Sequence, residues 1–169
     1  MIGSSCATAN LLIEPHVGYN IYGNADYNTF KTNFNGTQFG ARLGEQYLGF
    51  MGGLDFTYSL YTSKSTSLAG NSTANVSRNQ YGIFTGYNMP MFLRGWLSYY
   101  LLDKSTGSTN SWNKGSAIEF GVGFTLLPFL SLNFEYRTSN YTSSNAGTFS
   151  PIFKTKEIVM GISAPITLP

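Results

Sequence analysis

Hydrophobic and polar positions alternate along most of this chain. In "RLGEQYLGFMGGLDFTYSLY" (42–61) the large apolar residues from Leu48 to Leu60 share one parity, and small or polar residues occupy most of the other. A period of two predicts a β-strand with one apolar face. Similar stretches predict eight strands, each near the roughly 9–11 residues that a tilted strand needs to cross a bilayer. They lie at 11–22, 35–44, 46–61, 76–88, 91–102, 115–126, 129–140 and 153–164.

The connections between these strands alternate in length. Short turns are predicted at 44–46, 88–90 and 127–128, where the last two contain proline. Long loops rich in Asn, Ser, Thr and Gly are predicted at 23–34, 62–75, 103–114 and 141–152. This order predicts an antiparallel up-and-down meander, and an even number of strands lets such a meander close and remove its edges.

The direction of the apolar face separates two kinds of barrel. An inward apolar face would make a soluble ligand-binding barrel, and an outward one a membrane barrel. Between the first and last apolar residues of each predicted strand no charge lies on the apolar parity, and all four arginines of the chain lie on the polar parity. The six lysines lie in the long loops or at the strand ends beside them. Arginine suits confined ion pairs with carboxylates, whereas lysine suits water, so the polar parity is predicted to point inward.

Composition favours the same direction. Charged residues make up 11% of the 169 residues, against roughly 25% in ordinary soluble domains. The apolar set is also too bulky for the interior of an eight-stranded barrel. The sequence therefore predicts an all-β fold, an eight-stranded antiparallel up-and-down transmembrane β-barrel with a polar, side-chain-filled lumen.

The predicted organisation has three parts. Residues 11–164 form the barrel, 1–10 a flexible N-terminal tail containing the single Cys6, and 165–169 a C-terminal tail or the start of a linker. Inside the barrel we predict one ionic network. Glu14 and Arg42 are expected to pair near one end, and Glu135, Arg137 and Glu157 to meet higher up. The full predicted network is Glu14, His16, Arg42, Asp55, Arg78, Arg94, Glu119, Glu135, Arg137 and Glu157.

Stretches such as "FGARLGEQYLGFMGGLDFTYS" and "IEFGVGFTLLPFLSLNFEYR" resemble the small eight-stranded outer-membrane barrels of Gram-negative bacteria, the OmpA transmembrane domain and OmpX group. The resemblance covers 11–164 and implies an outer-membrane location and insertion by the barrel-assembly machinery. Such barrels usually end on an aromatic residue, whereas this chain ends "EIVMGISAPITLP". Both termini are expected in the periplasm, the long loops outside, and outer-membrane lipids and lipopolysaccharide around a monomer.

Three function classes stay open. The first is a structural or surface-interaction barrel whose polar loops could meet an extracellular ligand; the second is a narrow pore; the third is a lipid-modifying enzyme. His16, the only histidine, is expected inside the polar lumen and not at a catalytic site, so no enzyme activity is predicted. One Cys and one His offer no metal-ligand spacing, so no metal and no cofactor are expected. Basic stretches interleaved with aromatic residues are missing, which argues against nucleic acid.

Overall fold

The computed structural model describes residues 9–27, 30–67, 70–89, 92–107, 111–127, 129–144 and 147–169. These residues form nine strands in chain order, and among them there is no helix that is long and apolar enough to cross a membrane. The strands are β1 (Asn10–Tyr27), β2 (Phe30–Tyr47), β3 (Phe50–Ser67), β4 (Gly70–Asn88), β5 (Leu93–Gly107), β6 (Ser111–Leu127), β7 (Leu130–Ser144), β8 (Gly147–Ser163) and β9 (Ile166–Leu168). Most of the predicted N-terminal tail, with Cys6, lies outside the described residues.

The strands close into an antiparallel ring. Each of β1 to β7 pairs with the next strand along the chain, and β8 pairs back with β1. β9 pairs with the first residues of β1, so it lies beside β1 in line with β8. The stretch 165–169, for which the sequence predicts a tail or the start of a linker, therefore contains a short paired strand. The predicted eight-stranded up-and-down architecture is confirmed.

The predicted direction of the two faces is also confirmed. All four arginines point inward and are at most 2% exposed. Large apolar side chains of the other parity point outward, such as Phe120, which is 55% exposed, and Ile83, which is 51% exposed. The alternation of inward polar and outward apolar residues is what a closed sheet surrounded by lipid requires.

The predicted long loops are wrong. The described residues of 23–34, 62–75, 103–114 and 141–152 are β-strand, and the β3–β4 ladder runs without interruption from Phe50–Tyr87 to Ser67–Gly70. These stretches lack an apolar face, so the period-two signal disappears although the backbone pairing continues. The eight strands β1 to β8 have 15 to 19 residues each. They are therefore longer than the roughly 9–11 residues that a strand needs to cross a bilayer. We call this extended end of the barrel the hairpin end.

The predicted turn at 44–46 is wrong as well. β2 continues to Tyr47, and the turn to β3 consists of Leu48 and Gly49. Both residues have positive φ, 49° and 87°, as the tight type I′ connection between antiparallel strands requires. We call this opposite end of the barrel the turn end.

Two β-bulges change which residues face inward, one in β1, where Ile21 and Tyr22 both point outward, and one in β5. In β5, Leu101 and Leu102 both point outward, and the register with β4 shifts between Tyr81 and Gly82. A bulge inserts one extra residue and so reverses the alternation beyond it. As a result Asp103, which the parity of the predicted strand 91–102 would turn outward, points inward and is 1% exposed.

Candidate functional site

The structure places all ten residues of the predicted network inside the barrel. Each is buried, and the most exposed of them, His16, has 7% of its surface accessible. They come from all eight long strands, and β8 contributes Glu157 near its centre. The alternation of each strand is sufficient to turn these side chains toward a common axis.

Arg42 is the centre of the network. Its guanidinium lies 3.1 Å from the Asp55 carboxylate and 3.3 Å from Glu14, which sit on the two neighbouring strands. It also reaches across the lumen to Glu119 at 3.3 Å and to Glu135 at 3.1 Å. One buried cation thus holds together four carboxylates from four other strands, because the planar fork of arginine offers donors in several directions.

Two further arginines extend the network from this centre. Arg94 lies 2.5 Å from Glu14, so Glu14 has two cationic partners. Arg137 lies 2.5 Å from Glu119, 3.9 Å from Glu135 and 3.6 Å from Glu157. Arg137 therefore connects the central cluster to the cluster nearer the hairpin end.

Arg78 forms the cluster nearer the hairpin end, with a partner that sequence reasoning missed. Its Nε donates to Asp103 at 2.8 Å, and its two terminal nitrogens donate to Asp103, Glu157 and the Ser139 hydroxyl. Asp103 escaped prediction because it lies in the predicted loop 103–114, and the parity of the strand before it would turn it outward without the β5 bulge. The adjacent outward pair Leu101–Leu102 is the signal that could have revealed the bulge.

Aromatic side chains support the network on the same inward parity. Trp96 lies under the Arg42 guanidinium, with 4.3 Å from Cζ to the ring centroid, and its indole N–H donates to Glu119 at 3.3 Å. The Tyr100 hydroxyl also donates to Glu119, at 3.2 Å. Both aromatic residues share the parity of Arg94 in β5, so the alternation already places them inside.

His16 is inside the barrel but forms no ion pair among the residues that the structure describes. Its Nε2 lies 3.4 Å from the Thr57 hydroxyl. A lipid-modifying enzyme needs its catalytic base where lipid headgroups arrive, and this buried ring does not offer that access. The described residues also contain no group of three or more His, Cys, Asp or Glu that could hold a metal ion.

An apolar cluster lies on the turn-end side of the ionic network. Leu12, Met51 and Phe84 are at most 4% exposed and pack together inside the barrel. The Met51 sulfur lies 3.4 Å from an Arg94 nitrogen, so the apolar cluster touches the first charges of the network. The interior is thus layered, with apolar packing below the ion pairs.

A cavity of about 260 Å³ lies on the other side of the network, toward the hairpin end. We call it the mouth cavity. Arg78 forms its floor, and small side chains and aromatic rings form its walls. Its lining comprises Ala25, Thr32, Phe34, Tyr61, Ser63, Ser72, Ala74, Val76, Arg78, Ser105, Gly107, Trp112, Tyr141, Phe153 and Thr155.

The glycines of β6 make room for the network, which gives a testable prediction. A Cβ on Gly121 would lie 2.1 Å from the Trp96 ring, whereas a Cβ on outward-facing Gly95 would have no neighbour nearer than 3.7 Å. We expect Gly121→Ala to lower the free energy of unfolding by about 1–3 kcal/mol, the usual cost of overpacking. Gly95→Ala is the matched control and should change it little. Urea unfolding in lipid vesicles measures both, and equal effects would contradict the packing described for Trp96.

Comparison with solved structures places this architecture among known folds. Neisserial surface protein A matches with a TM-score of 0.66 at 12% identity, over 91% of this chain and 96% of that chain. Ail, the attachment invasion locus protein of Yersinia pestis, in a complex with the heparin analogue sucrose octasulfate, matches with a TM-score of 0.61 at 12% identity, over 92% and 99%. The outer membrane protein OprG of Pseudomonas aeruginosa matches with a TM-score of 0.52 at 10% identity, over 95% and 97%.

No protein-family model and no curated protein matches the sequence. The likeness to the solved structures spans nearly the whole of each chain and rests on the closed ring of antiparallel strands. This chain has the fold of the small outer-membrane β-barrels of the OmpX type.

Proposed function

We propose that the protein is a structural or surface-interaction barrel of the bacterial outer membrane, with a lumen closed by its ion pairs. The observation that carries the proposal is the segregation of charge. All four arginines and six of the eight carboxylates are buried in one connected network inside the barrel. A network that joins opposite walls leaves little room for a continuous water path.

The outer surface supports residence in a membrane. It carries large aliphatic and aromatic side chains that are 37–72% exposed, whereas soluble monomers rarely expose contiguous apolar patches larger than a few hundred Å². Aromatic residues lie at both margins, for example Tyr87 toward the turn end and Tyr19 toward the hairpin end. Aromatic girdles at the two interfaces are typical of membrane barrels.

Outward lysines suggest which end faces the outer leaflet. Toward the hairpin end the exposed lysines are Lys64, Lys104, Lys114, Lys154 and Lys156. Ammonium groups at this height would meet the phosphates of lipopolysaccharide, so we place the hairpin end outside. The turn end, where β1 begins and β9 ends, then faces the periplasm. This is the side from which the barrel-assembly machinery inserts such chains.

Cysteine labelling tests this orientation. In a Cys6→Ser background, Thr73→Cys at the hairpin end should react with a membrane-impermeant maleimide on intact cells. Glu45→Cys at the turn end is the matched control and should react only after the outer membrane is permeabilised; both positions are exposed. Labelling of Glu45→Cys alone on intact cells would reverse the proposed orientation.

A narrow pore is the second candidate, and one observation favours it. Several luminal polar atoms, among them Asp55 Oδ1 and Arg94 Nε, have no hydrogen-bond partner among the described residues. Buried polar groups of this kind commonly bind water. The six luminal carboxylates also outnumber the four arginines, so a hydrated path of this kind would favour cations.

A further inference from the structure

The mouth cavity has two aromatic walls on opposite sides of the barrel. Trp112, Tyr141 and Phe153 form one wall, in which the Trp112 and Phe153 rings stack at 5.3 Å with 18° between their planes. Phe34 and Tyr61 form the other, with ring centroids 5.2 Å apart. In the ring of strands, β4 and β5 separate the two walls on one side and β1 on the other, so the walls face each other across the lumen.

Small residues keep the space between these walls clear. Ala25, Ala74 and Ser63 line the cavity from the intervening or adjoining strands, and none extends far beyond Cβ. A volume of about 260 Å³ lies just below the roughly 300–1,000 Å³ of pockets for drug-sized ligands. The space therefore suits a molecule of one or two rings.

The polar groups of the floor are already occupied. Every guanidinium nitrogen of Arg78 donates to Asp103, Glu157 or Ser139. The Tyr61 hydroxyl donates to Glu157 at 2.9 Å, and the Tyr141 hydroxyl donates to Asp103 at 2.8 Å. These bonds hold the two tyrosine rings in place, so their faces are left to contact a ligand. Among the polar lining atoms, the Thr155 hydroxyl has no hydrogen-bond partner in the described part of the chain.

We propose that the mouth cavity binds a small, flat, uncharged aromatic molecule between its two aromatic walls. Aromatic rings attract one another in offset or tilted arrangements beyond the area that they bury. Arg78 is neutralised by two carboxylates, so the floor offers no free cation for an anionic ligand. Rings that are fixed before binding lose little entropy when the ligand arrives.

Fluorine NMR with 5-fluoroindole as the probe tests the proposal on the full chain in lipid nanodiscs. We expect a change in the ¹⁹F signal that saturates as the probe concentration rises. Empty nanodiscs measure the partition of the probe into lipid, which does not saturate, and this contribution is subtracted. Trp112→Ala, which removes part of one wall, should weaken binding about tenfold. Ala74→Leu, which fills the space from β4, should weaken it at least as much while leaving both walls in place.

Ala41→Leu adds the same bulk on the outward face of β2 and is the matched control, with unchanged affinity expected. The mobility shift of unheated samples on gels reports whether each variant is folded. Absence of a saturable signal in the native protein, or equal affinity in Ala74→Leu and Ala41→Leu, would overturn the proposal. Displacement of the probe by benzoate or methyl β-glucoside but not by indole would assign the cavity to another ligand class and would also overturn it.

Discussion

Replacing Arg42 with alanine will destabilise the barrel more than any other single change in the network. The substitution removes the cation that four carboxylates share, Glu14, Asp55, Glu119 and Glu135. Breaking a buried ion pair by removing one partner costs about 3–5 kcal/mol, because the remaining charge is left uncompensated. Equilibrium urea unfolding in lipid vesicles measures the loss.

The second substitution that best restores stability to Arg42→Ala depends on the partners that each carboxylate keeps when Arg42 is removed. Without Arg42, Glu14 still has Arg94 at 2.5 Å, whereas Asp55 has no other ion pair among the described residues and keeps only the Ser98 hydroxyl at 2.7 Å. We therefore expect Asp55→Asn to recover more stability in the Arg42→Ala background than Glu14→Gln does, and both to recover part of it. A loss below about 0.5 kcal/mol for Arg42→Ala, the range of ordinary surface changes, would contradict the central role of this residue.

An arginine at Phe120 is expected to have the second largest effect. Phe120 is 55% exposed between Ile118 and Val122 on the outward face of β6. A cation near the bilayer midplane on this face costs roughly 2–4 kcal/mol in a membrane barrel. The free energy of unfolding in vesicles should fall by that amount for Phe120→Arg.

The matched control places the same charge beyond the apolar surface. Thr106→Arg lies on the outward face of β5 near the hairpin end and should change stability little. The luminal change Thr57→Ser, which keeps the hydroxyl, should also be mild, since it deletes one methyl group. If Phe120→Arg left the free energy of unfolding unchanged while Thr57→Ser lowered it strongly, the apolar face would not be the one that meets lipid.

Strict alternation made the barrel predictable from sequence. Where one face is apolar, as from Leu54 to Leu60 in β3, parity alone fixes the direction of every side chain. The same rule places Trp96 and Tyr100 inside, although no aromatic residue was predicted there from the sequence. Burial of all ten predicted network residues follows from parity, but their partners depend on side-chain reach across the lumen, which strand register alone does not give.

The errors arise where alternation fails as a signal. Asp103 lies beyond a bulge. Strict alternation does not reveal the one extra residue of a bulge unless a pair of adjacent outward residues such as Leu101–Leu102 is recognised. At the hairpin end both faces are mostly polar, so strands were indistinguishable from loops in the sequence. The aromatic walls of the mouth cavity lie in these stretches, and their convergence requires the closed ring.

Single-channel recording of the native protein in a planar bilayer tests the closed lumen most directly. Folded protein is inserted, and a general porin in the same lipid serves as the positive control for insertion and detection. Ion pairs that join Arg42 to carboxylates on opposite walls predict no large, stable conductance across the voltage range that the bilayer tolerates. A large, stable, ohmic conductance from the folded native protein would contradict the closed lumen and establish the pore in its place.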